Sequence, residues 1–193
     1  MFTSKPSPIL GLTIYRPYIF KDFRGEYTET FNADEILHHP GFVQDSAILS
    51  TKGVLRGYHG DNRTWKLITC LQGAFQITFA CIDPEDSMFR KTETMILDDK
   101  ERLMVLLPPK FVNAHQCLTD TCLFFYKQDT FYKGQKHQYS IYWREFDEVK
   151  WPIPPILSQR DETARSLFRY VEEVDITGVV RGIKLLSPEE VNE

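Results

Sequence analysis

The feature that most restricts the fold of this chain is its succession of short runs rich in aromatic and β-branched residues, most of them closed by Gly, Pro, Asn or Asp. Runs of this composition favour β-strands, and a spacing of about 8–12 residues is typical of a sandwich or barrel. The predicted strands cover residues 12–20, 28–31, 47–49, 54–58, 66–71, 74–82, 92–97, 103–107, 122–126 and 139–143. The sequence therefore predicts an all-β fold.

The pattern changes near the C-terminus. Asp161 is a favourable residue for starting a helix, and Leu167, Phe168, Val171 and Val174 recur at helical spacing. We therefore predict a β-barrel over residues 1–160 and a helical tail over residues 161–193, packed together as a single domain.

Composition limits the classes of partner. The chain has 193 residues, a hydrophobic fraction of 42% and a net charge of −4. That length is enough to bury the core of one domain. The tail from Asp161 carries eight acids and four bases, which leaves 19 of each in the first 160 residues. Because nucleic-acid binding needs a basic surface, we expect no nucleic-acid partner.

Membrane insertion and disulfide bonding are also not expected. No stretch approaches the roughly 18 apolar residues that cross a bilayer, and the first residues lack the apolar core of a signal peptide. Cys70, Cys81, Cys117 and Cys122 show no CxxC spacing. We interpret them as reduced thiols of a cytoplasmic protein.

Two of the five histidines lie at the ends of predicted strands. His59 ends a strand just after Gly57, where the backbone can approach a ligand closely, and His115 begins another strand. Position alone leaves a structural role open for both. A metal site in a barrel would need two histidines one residue apart and a carboxylate, whereas His59 is flanked at that spacing by Gly57 and Asp61. We predict no metal.

Lys66 and Tyr126 suggest another kind of site. Lys66 opens an otherwise apolar strand, and Tyr126 lies in the most aromatic segment of the chain. The alternative roles are a strand-end charge that faces water for Lys66 and plain core packing for Tyr126. Together with His59, however, these residues suit proton transfer next to a carbonyl. An imidazole would remove the proton, an ammonium would stabilise the enolate oxygen and a phenol would return a proton from the other face. That chemistry needs no cofactor.

Seven motifs in order resemble those of the dTDP-4-dehydrorhamnose 3,5-epimerases, which invert C3 and C5 of nucleotide-linked 4-keto sugars on a cupin-type jelly-roll barrel. The resemblance extends from about Gly11 to Leu167. The motifs are DFRGEYTETF (22–31), FVQDS (42–46), GVLRGYH (53–59), KLITCLQG (66–73), LLPP (106–109), FYK (125–127) and WPIPPILSQRD (151–161).

The resemblance implies catalytic roles for four residues. His59 matches the general base, Asp161 the carboxylate that orients it, Lys66 the cation beside the C4 oxygen, and Tyr126 the acid. An acid on the far ring nitrogen would fix the tautomer of the histidine and raise its basicity.

The resemblance also implies substrate contacts and an assembly. Tyr132 matches a second tyrosine near the sugar, and the matches to nucleotide-binding residues are Arg24, Glu29, Gln44 and Arg56. Arginines suit a diphosphate because they donate in pairs. Members of this family are usually homodimers that exchange an N-terminal strand, for which residues 12–20 are the candidate.

Several positions depart from the family pattern. Gly60 and Asp61 replace an aromatic–glutamine pair, Asn113 stands where the family has a substrate-contacting histidine, and His115 lies on the same strand face two residues on. Three further family polar positions fall on Ser46, Ile77 and His137. The four residues that match the catalytic residues of the family are retained despite these changes. This combination predicts the same chemistry on a different substrate.

The segment His59-Gly60-Asp61 and the pair Asn113 and His115 are more similar to one branch of the family. That branch epimerises GDP-linked 4-keto heptoses for bacterial surface polysaccharides, in lipopolysaccharide or capsule. The nucleotide (dTDP or GDP), the sugar length and the carbon inverted stay open. Two alternatives to an epimerase are a non-catalytic sugar-nucleotide-binding cupin and a 3,4-ketoisomerase on the same barrel.

Overall fold

A computed structural model describes residues 1–37, 39–175 and 180–192. Its strands are β1 Phe2–Pro6, β2 Thr13–Pro17, β3 Ile19–Asp22, β4 Gly25–Thr28, β5 Gln44–Thr51, β6 Leu55–Gly60, β7 Lys66–Gln72, β8 Ala74–Cys81, β9 Thr92–Asp98, β10 Met104–Leu107, β11 Phe111–Cys117, β12 Thr121–Gln128, β13 Tyr139–Ile141, β14 Val171–Asp175 and β15 Val180–Leu185. Its helices are α1 Gln159–Glu162 and α2 Pro188–Asn192, and 3-10 turns cover Gln135–His137 and Leu167–Tyr170. The prediction of an all-β fold is confirmed.

Two antiparallel sheets face each other as in a jelly roll. One has six strands in the order β1-β2-β10-β7-β12-β5, and the other has five in the order β13-β6-β11-β8-β9. The core lies between them, because alternate residues of each strand point inward. Ile14, Ile68, Val105 and Phe124 come from the six-stranded sheet, and Phe75, Ile77, Phe79 and Leu97 from the five-stranded sheet. Between the sheets this core leaves space for a cavity lined by residues of both.

The N-terminal part of the chain differs from its sequence-based prediction. The predicted strand over residues 12–20 is two strands, β2 and β3, and β1 was not predicted. β2 pairs with β1 on one side and β10 on the other, within its own chain. The strand proposed for exchange therefore already has two neighbours. β3 and β4 form a separate hairpin that leaves Phe23 98% exposed.

The prediction of a helix through Leu167, Phe168, Val171 and Val174 was wrong. Leu167–Tyr170 is a single 3-10 turn, and β14 and β15 pair antiparallel. Helical spacing of apolar residues cannot by itself exclude a strand, and β-branched valines favour strands once a partner strand is available. Only the short helices α1 and α2 of the described tail are α-helical.

The tail is attached to the barrel by a second core. Leu167 and Tyr170 are buried there with Tyr58 and Tyr139 of the five-stranded sheet, and Val191 packs against the same cluster. No helix in the described ranges is long and apolar enough to cross a membrane.

Candidate active site

Residues from both sheets line a cavity of about 250 Å³, called the His59 cavity below. Its walls are formed by Ile48, Arg56, Gly57, His59, Lys66, Asn113, His115, Phe124, Tyr126, Tyr132, Gln138 and Arg160. His59, Asn113 and His115 belong to the five-stranded sheet, whereas Lys66 and Tyr126 belong to the six-stranded sheet. A ring held between the sheets would therefore present opposite faces to His59 and Tyr126.

His59 lies beside Asp161, as the sequence predicted. Nε2 of His59 is 2.8 Å from Oδ1 of Asp161, but the oxygen lies off the ring N–H direction, so no linear hydrogen bond forms. Nε2 is buried, while the side chain keeps 21% of its exposure. The exposed part of the ring thus lies away from the carboxylate, and Nδ1 is the nitrogen left to take a proton.

Besides His59, two residues hold Asp161 in place. Ser158, the N-cap of α1, donates its hydroxyl hydrogen to Oδ2 of Asp161 at 2.7 Å and accepts from the Asp161 backbone N–H. The backbone N–H of Gly57 donates to Oδ1 at 3.1 Å. Such contacts fix the carboxylate so that it can orient the histidine.

Gly57 is needed for this approach. A Cβ built on Gly57 would lie 2.9 Å from Oδ1 of Asp161, closer than ordinary van der Waals contact. The register between β6 and β11 also shifts at this point, because Asn113 pairs with His59 while His115 pairs with Arg56. A bulge of this kind lets Arg56 and His59, three residues apart, both line the cavity.

The electrostatics favour a neutral base beside an ionised carboxylate. Burial lowers the pKa of His59 below its ordinary value, against the opposing effect of Asp161. Burial would raise the pKa of Asp161, but His59, the Ser158 hydroxyl and the Gly57 amide hold it below its usual range. A neutral imidazole is the form that can accept a proton.

Lys66 and Tyr126 share one wall of the cavity. Lys66 pairs with Gln128, and Tyr126 pairs with Ile68, so both side chains are on the same face of neighbouring strands. Nζ of Lys66 is 5.6 Å from the centroid of the Tyr126 ring. Burial lowers the pKa of Lys66, Asp61 opposes that change and Arg160 adds to it. A buried ammonium of this kind is suited to stabilise a negative oxygen.

His115 is a neutral wall of the cavity. Its ring stacks on Phe124 with centroids 4.1 Å apart, and its buried Nε2 has no hydrogen-bond partner. Burial, together with Arg56, lowers the pKa of His115 to about 3. It therefore stays uncharged at neutral pH.

The structure does not bring all predicted binding residues to the cavity. Arg56, Asn113, His115 and Tyr132 line it. Gln44 does not line it, and its Oε1 accepts from the backbone N–H of Tyr132 at 2.9 Å. Two predicted binding residues, Arg24 and Glu29, lie outside the cavity. Arg24 is paired with Asp22 in the β3–β4 hairpin, and the carboxylate of Glu29 is 3.3 Å from the N-terminal ammonium.

Sequence reasoning missed Arg160. Its Nε donates to Oγ of Ser140 at 2.8 Å, while its buried Nη2 has no hydrogen-bond partner. Arg160 lines the cavity, and a buried guanidinium nitrogen without a partner is energetically costly. Its position beside Asp161 in the SQRD motif was the available signal.

Comparison with known proteins places these features in a family. Residues 6–168 match the model of the family described as dTDP-4-dehydrorhamnose 3,5-epimerase. The dTDP-4-dehydrorhamnose 3,5-epimerase of Escherichia coli K12 is 33% identical over 164 residues, which cover 80% of this chain and 88% of that protein.

Solved structures share the fold. A dTDP-6-deoxy-D-glucose-3,5-epimerase from Legionella pneumophila, in complex with dTDP-4-keto-L-rhamnose, is 28% identical with a TM-score of 0.81, over 87% of this chain and 94% of that chain. ChmJ, a 3'-monoepimerase from Streptomyces bikiniensis in complex with dTDP-quinovose, is 26% identical with a TM-score of 0.79, over 84% and 86% of the two chains. The cupin-type jelly roll implied by the sequence motifs is thereby confirmed.

Proposed function

The chain belongs to the dTDP-4-dehydrorhamnose 3,5-epimerase family, and we propose that its His59 cavity inverts C3, C5 or both in a nucleotide-linked 4-keto sugar. Family membership makes the protein an isomerase that acts on nucleotide-linked keto sugars. The observation that carries the assignment of the site is the contact of His59 with Asp161, on the wall opposite Lys66 and Tyr126.

The proposed reaction proceeds through an enolate. Nδ1 of His59 accepts the proton from the carbon next to the C4 carbonyl, and the electron pair of that C–H bond forms the C=C bond while the carbonyl oxygen becomes negative. The Lys66 ammonium stabilises that oxygen. Tyr126 then donates its phenolic proton to the opposite face of the same carbon, and exchange with solvent restores both groups.

Diphosphate recognition falls to the arginines of the cavity. Arg56 and Arg160 both line it, and guanidinium groups are suited to anionic oxygens. We include Arg160 in the proposed binding set beside Arg56, Asn113, His115 and Tyr132. The sequence patterns at Asp61 and Asn113 favour a GDP-linked 4-keto heptose as the substrate.

We also propose a homodimer. Arg24 and Glu29 lie outside the cavity of their own chain, and the β3–β4 hairpin that carries Arg24 exposes Phe23 and Tyr27. Exposed aromatic residues of this kind are typical of an interface. Packing of a second copy on this hairpin would bury them and supply Arg24 to the partner. Small-angle scattering that gives a monomer mass would contradict the homodimer.

One experiment tests the proposed activity. The protein is incubated with dTDP- and GDP-linked 4-keto hexoses and heptoses in deuterated water, and mass spectrometry and NMR locate incorporated deuterium. We expect incorporation at C3, C5 or both, with the inverted product. Tight binding without incorporation would favour a non-catalytic binding protein, and movement of the carbonyl from C4 to C3 would favour a ketoisomerase.

The close approach of Gly57 to Asp161 gives a prediction about the base. In Gly57→Ala, the added methyl group displaces the carboxylate, and we expect deuterium exchange to fall about 100-fold because a small misplacement of a catalytic group has an effect of this size. The double variant Gly57→Ala/Asp161→Asn should be no slower than Asp161→Asn alone, since both changes act through the same carboxylate. Additive losses would contradict this explanation.

A further inference from the structure

The side chain of Arg160 borders two spaces. It lines the His59 cavity, and it also lines a surface groove of about 390 Å³ together with Ser140 and Tyr170. Among the described residues, one hydrogen bond fixes its guanidinium, which Nε donates to Oγ of Ser140 at 2.8 Å. A guanidinium binds an anion more tightly when its direction is already fixed, because ordering a long side chain on binding costs free energy. The position of Ser140 therefore decides how Arg160 faces the cavity.

Ser140 is the residue of β13 that stands opposite His59. The two are register partners in neighbouring antiparallel strands, so their side chains project from the same face of the sheet. The backbone N–H of Ser140 donates to the Tyr170 hydroxyl, and that hydroxyl donates to the Ser140 carbonyl, both at 3.3 Å. These backbone groups therefore face away from β6. Ser140 and His59 thus form a non-hydrogen-bonded pair, the kind whose side chains lie closer together.

Tyr170 takes the place of a neighbouring strand at this edge. β13 is the outermost strand of the five-stranded sheet, so its outward backbone groups need partners from elsewhere. Ile141 forms a bridge to Arg165, while the N–H of Ser140 has the Tyr170 hydroxyl as its partner. Tyr170 is only 2% exposed, so its hydroxyl bonds are shielded from water. Loss of the hydroxyl would leave the Ser140 N–H unpaired and would loosen the position of Ser140.

Tyr170 belongs to the tail, beyond residues 6–168 that match the family. Its ring packs edge-on against that of Tyr139 in the second core, with centroids 5.1 Å apart. Tyr139 also has a hydroxyl bond to the tail, which it donates to the Leu186 carbonyl at 2.8 Å. Both phenols therefore join the tail to the barrel, but the hydroxyl of Tyr170 holds Ser140, whereas that of Tyr139 holds the residue after β15.

We propose that Tyr170 is a positioning residue for substrate binding: its hydroxyl holds Ser140, and Ser140 holds the Arg160 guanidinium in the direction that binds the diphosphate. The proposal rests on the proposed function, which places Arg160 among the binding residues. Tyr170 lines the surface groove and not the His59 cavity, so it acts through Arg160 and not by contact with the sugar. The C-terminal tail thereby contributes to the affinity for the substrate.

The test measures the Kd for dTDP and for GDP by calorimetry, and kcat and KM for deuterium exchange into the 4-keto sugar that the wild type uses. Tyr170→Phe keeps the ring and removes the hydroxyl. We expect Kd and KM to rise about 3- to 10-fold, as for the loss of one hydrogen bond, while kcat changes less than twofold. Ser140→Ala, which removes the acceptor of Arg160, should raise Kd by at least as much.

Two further variants separate positioning of Arg160 from attachment of the tail. Tyr139→Phe removes a buried phenol hydroxyl that also joins the tail to the barrel. It should lower the midpoint of thermal unfolding about as much as Tyr170→Phe does, yet leave Kd within about 1.5-fold of wild type. In the Arg160→Met background, Tyr170→Phe should change Kd by less than about 1.5-fold, because the two changes act through the same guanidinium.

Several results would overturn the proposal while leaving the epimerase function intact. These are an unchanged Kd in Tyr170→Phe, equal losses of affinity in Tyr170→Phe and Tyr139→Phe, and a loss in Tyr170→Phe that persists in the Arg160→Met background. Failure of the proposed function gives a different result. Wild type that binds a nucleoside diphosphate but exchanges no 4-keto sugar would refute the epimerase, and the Kd values would still decide the role of Tyr170. Wild type that binds neither dTDP nor GDP would overturn both.

Discussion

We expect His59→Ala to lower deuterium exchange into the 4-keto sugar by about 1,000-fold or more. His59 is the only imidazole of the cavity that contacts a carboxylate among the described residues, and positioned general bases contribute about 10²- to 10⁴-fold. The other histidine of the cavity, His115, cannot take over, because its pKa of about 3 makes it a very weak base. Exchange is followed by NMR in deuterated water.

Two controls separate loss of the base from loss of structure. His39→Asn replaces a histidine that does not line the His59 cavity and is packed between Phe31 and Phe42, and this variant should keep the exchange rate within about twofold of wild type. Affinity of His59→Ala for the free nucleoside diphosphate should also stay unchanged, since Arg56 and Arg160 remain. Exchange at the wild-type rate in His59→Ala would show that another group removes the proton.

The barrel could be predicted from the sequence because its signal is local. Runs such as residues 66–71 and 74–82 carry enough apolar and β-branched residues to identify strands without a partner, and they correspond to β7 and β8. The tail could not be predicted in this way. The spacing of its valines fits both a helix and a strand. The choice between the two depended on pairing between β14 and β15.

The candidate site was predictable in part. The resemblance supplied His59, Lys66, Tyr126 and Asp161, and the structure brings all four to one place. The positioning of these groups was not predictable, because it depends on contacts between segments about 100 residues apart, such as the Gly57 amide on Asp161. Gly57 inside a strand was a usable sign of a bulge or close approach.

Two of the departures from the family pattern can be understood only from the folded structure. Gly60 replaces an aromatic residue at a point where the carbonyl oxygen of Phe111 would lie 2.6 Å from an added Cβ. His137, at another of the departing positions, is paired with the carboxylate of Glu189. That partner comes from a segment distant in sequence, which no comparison of motifs could show.

The second large effect is expected at Lys66. In Lys66→Met a side chain of similar length keeps the packing but removes the charge, and we expect exchange to fall about 100- to 1,000-fold because the enolate oxygen loses its main stabilising group. Affinity for the nucleotide portion should change little, since that portion contacts other residues. Retention of more than a third of the exchange rate would contradict a role for Lys66 at the carbonyl oxygen.

The pH dependence of exchange tests the same role independently. The protonated ammonium is the active form, and burial lowers the pKa of Lys66 below that of an exposed lysine. Activity should therefore decline with rising pH earlier than an ordinary lysine would allow. In Lys66→Arg the guanidinium stays charged across this range, so the alkaline decline should move to higher pH. The acid decline should remain in that variant, at a pH below the ordinary histidine value, because it reports protonation of His59, whose pKa burial also lowers. An alkaline limb that is unchanged in Lys66→Arg would assign that decline to another group.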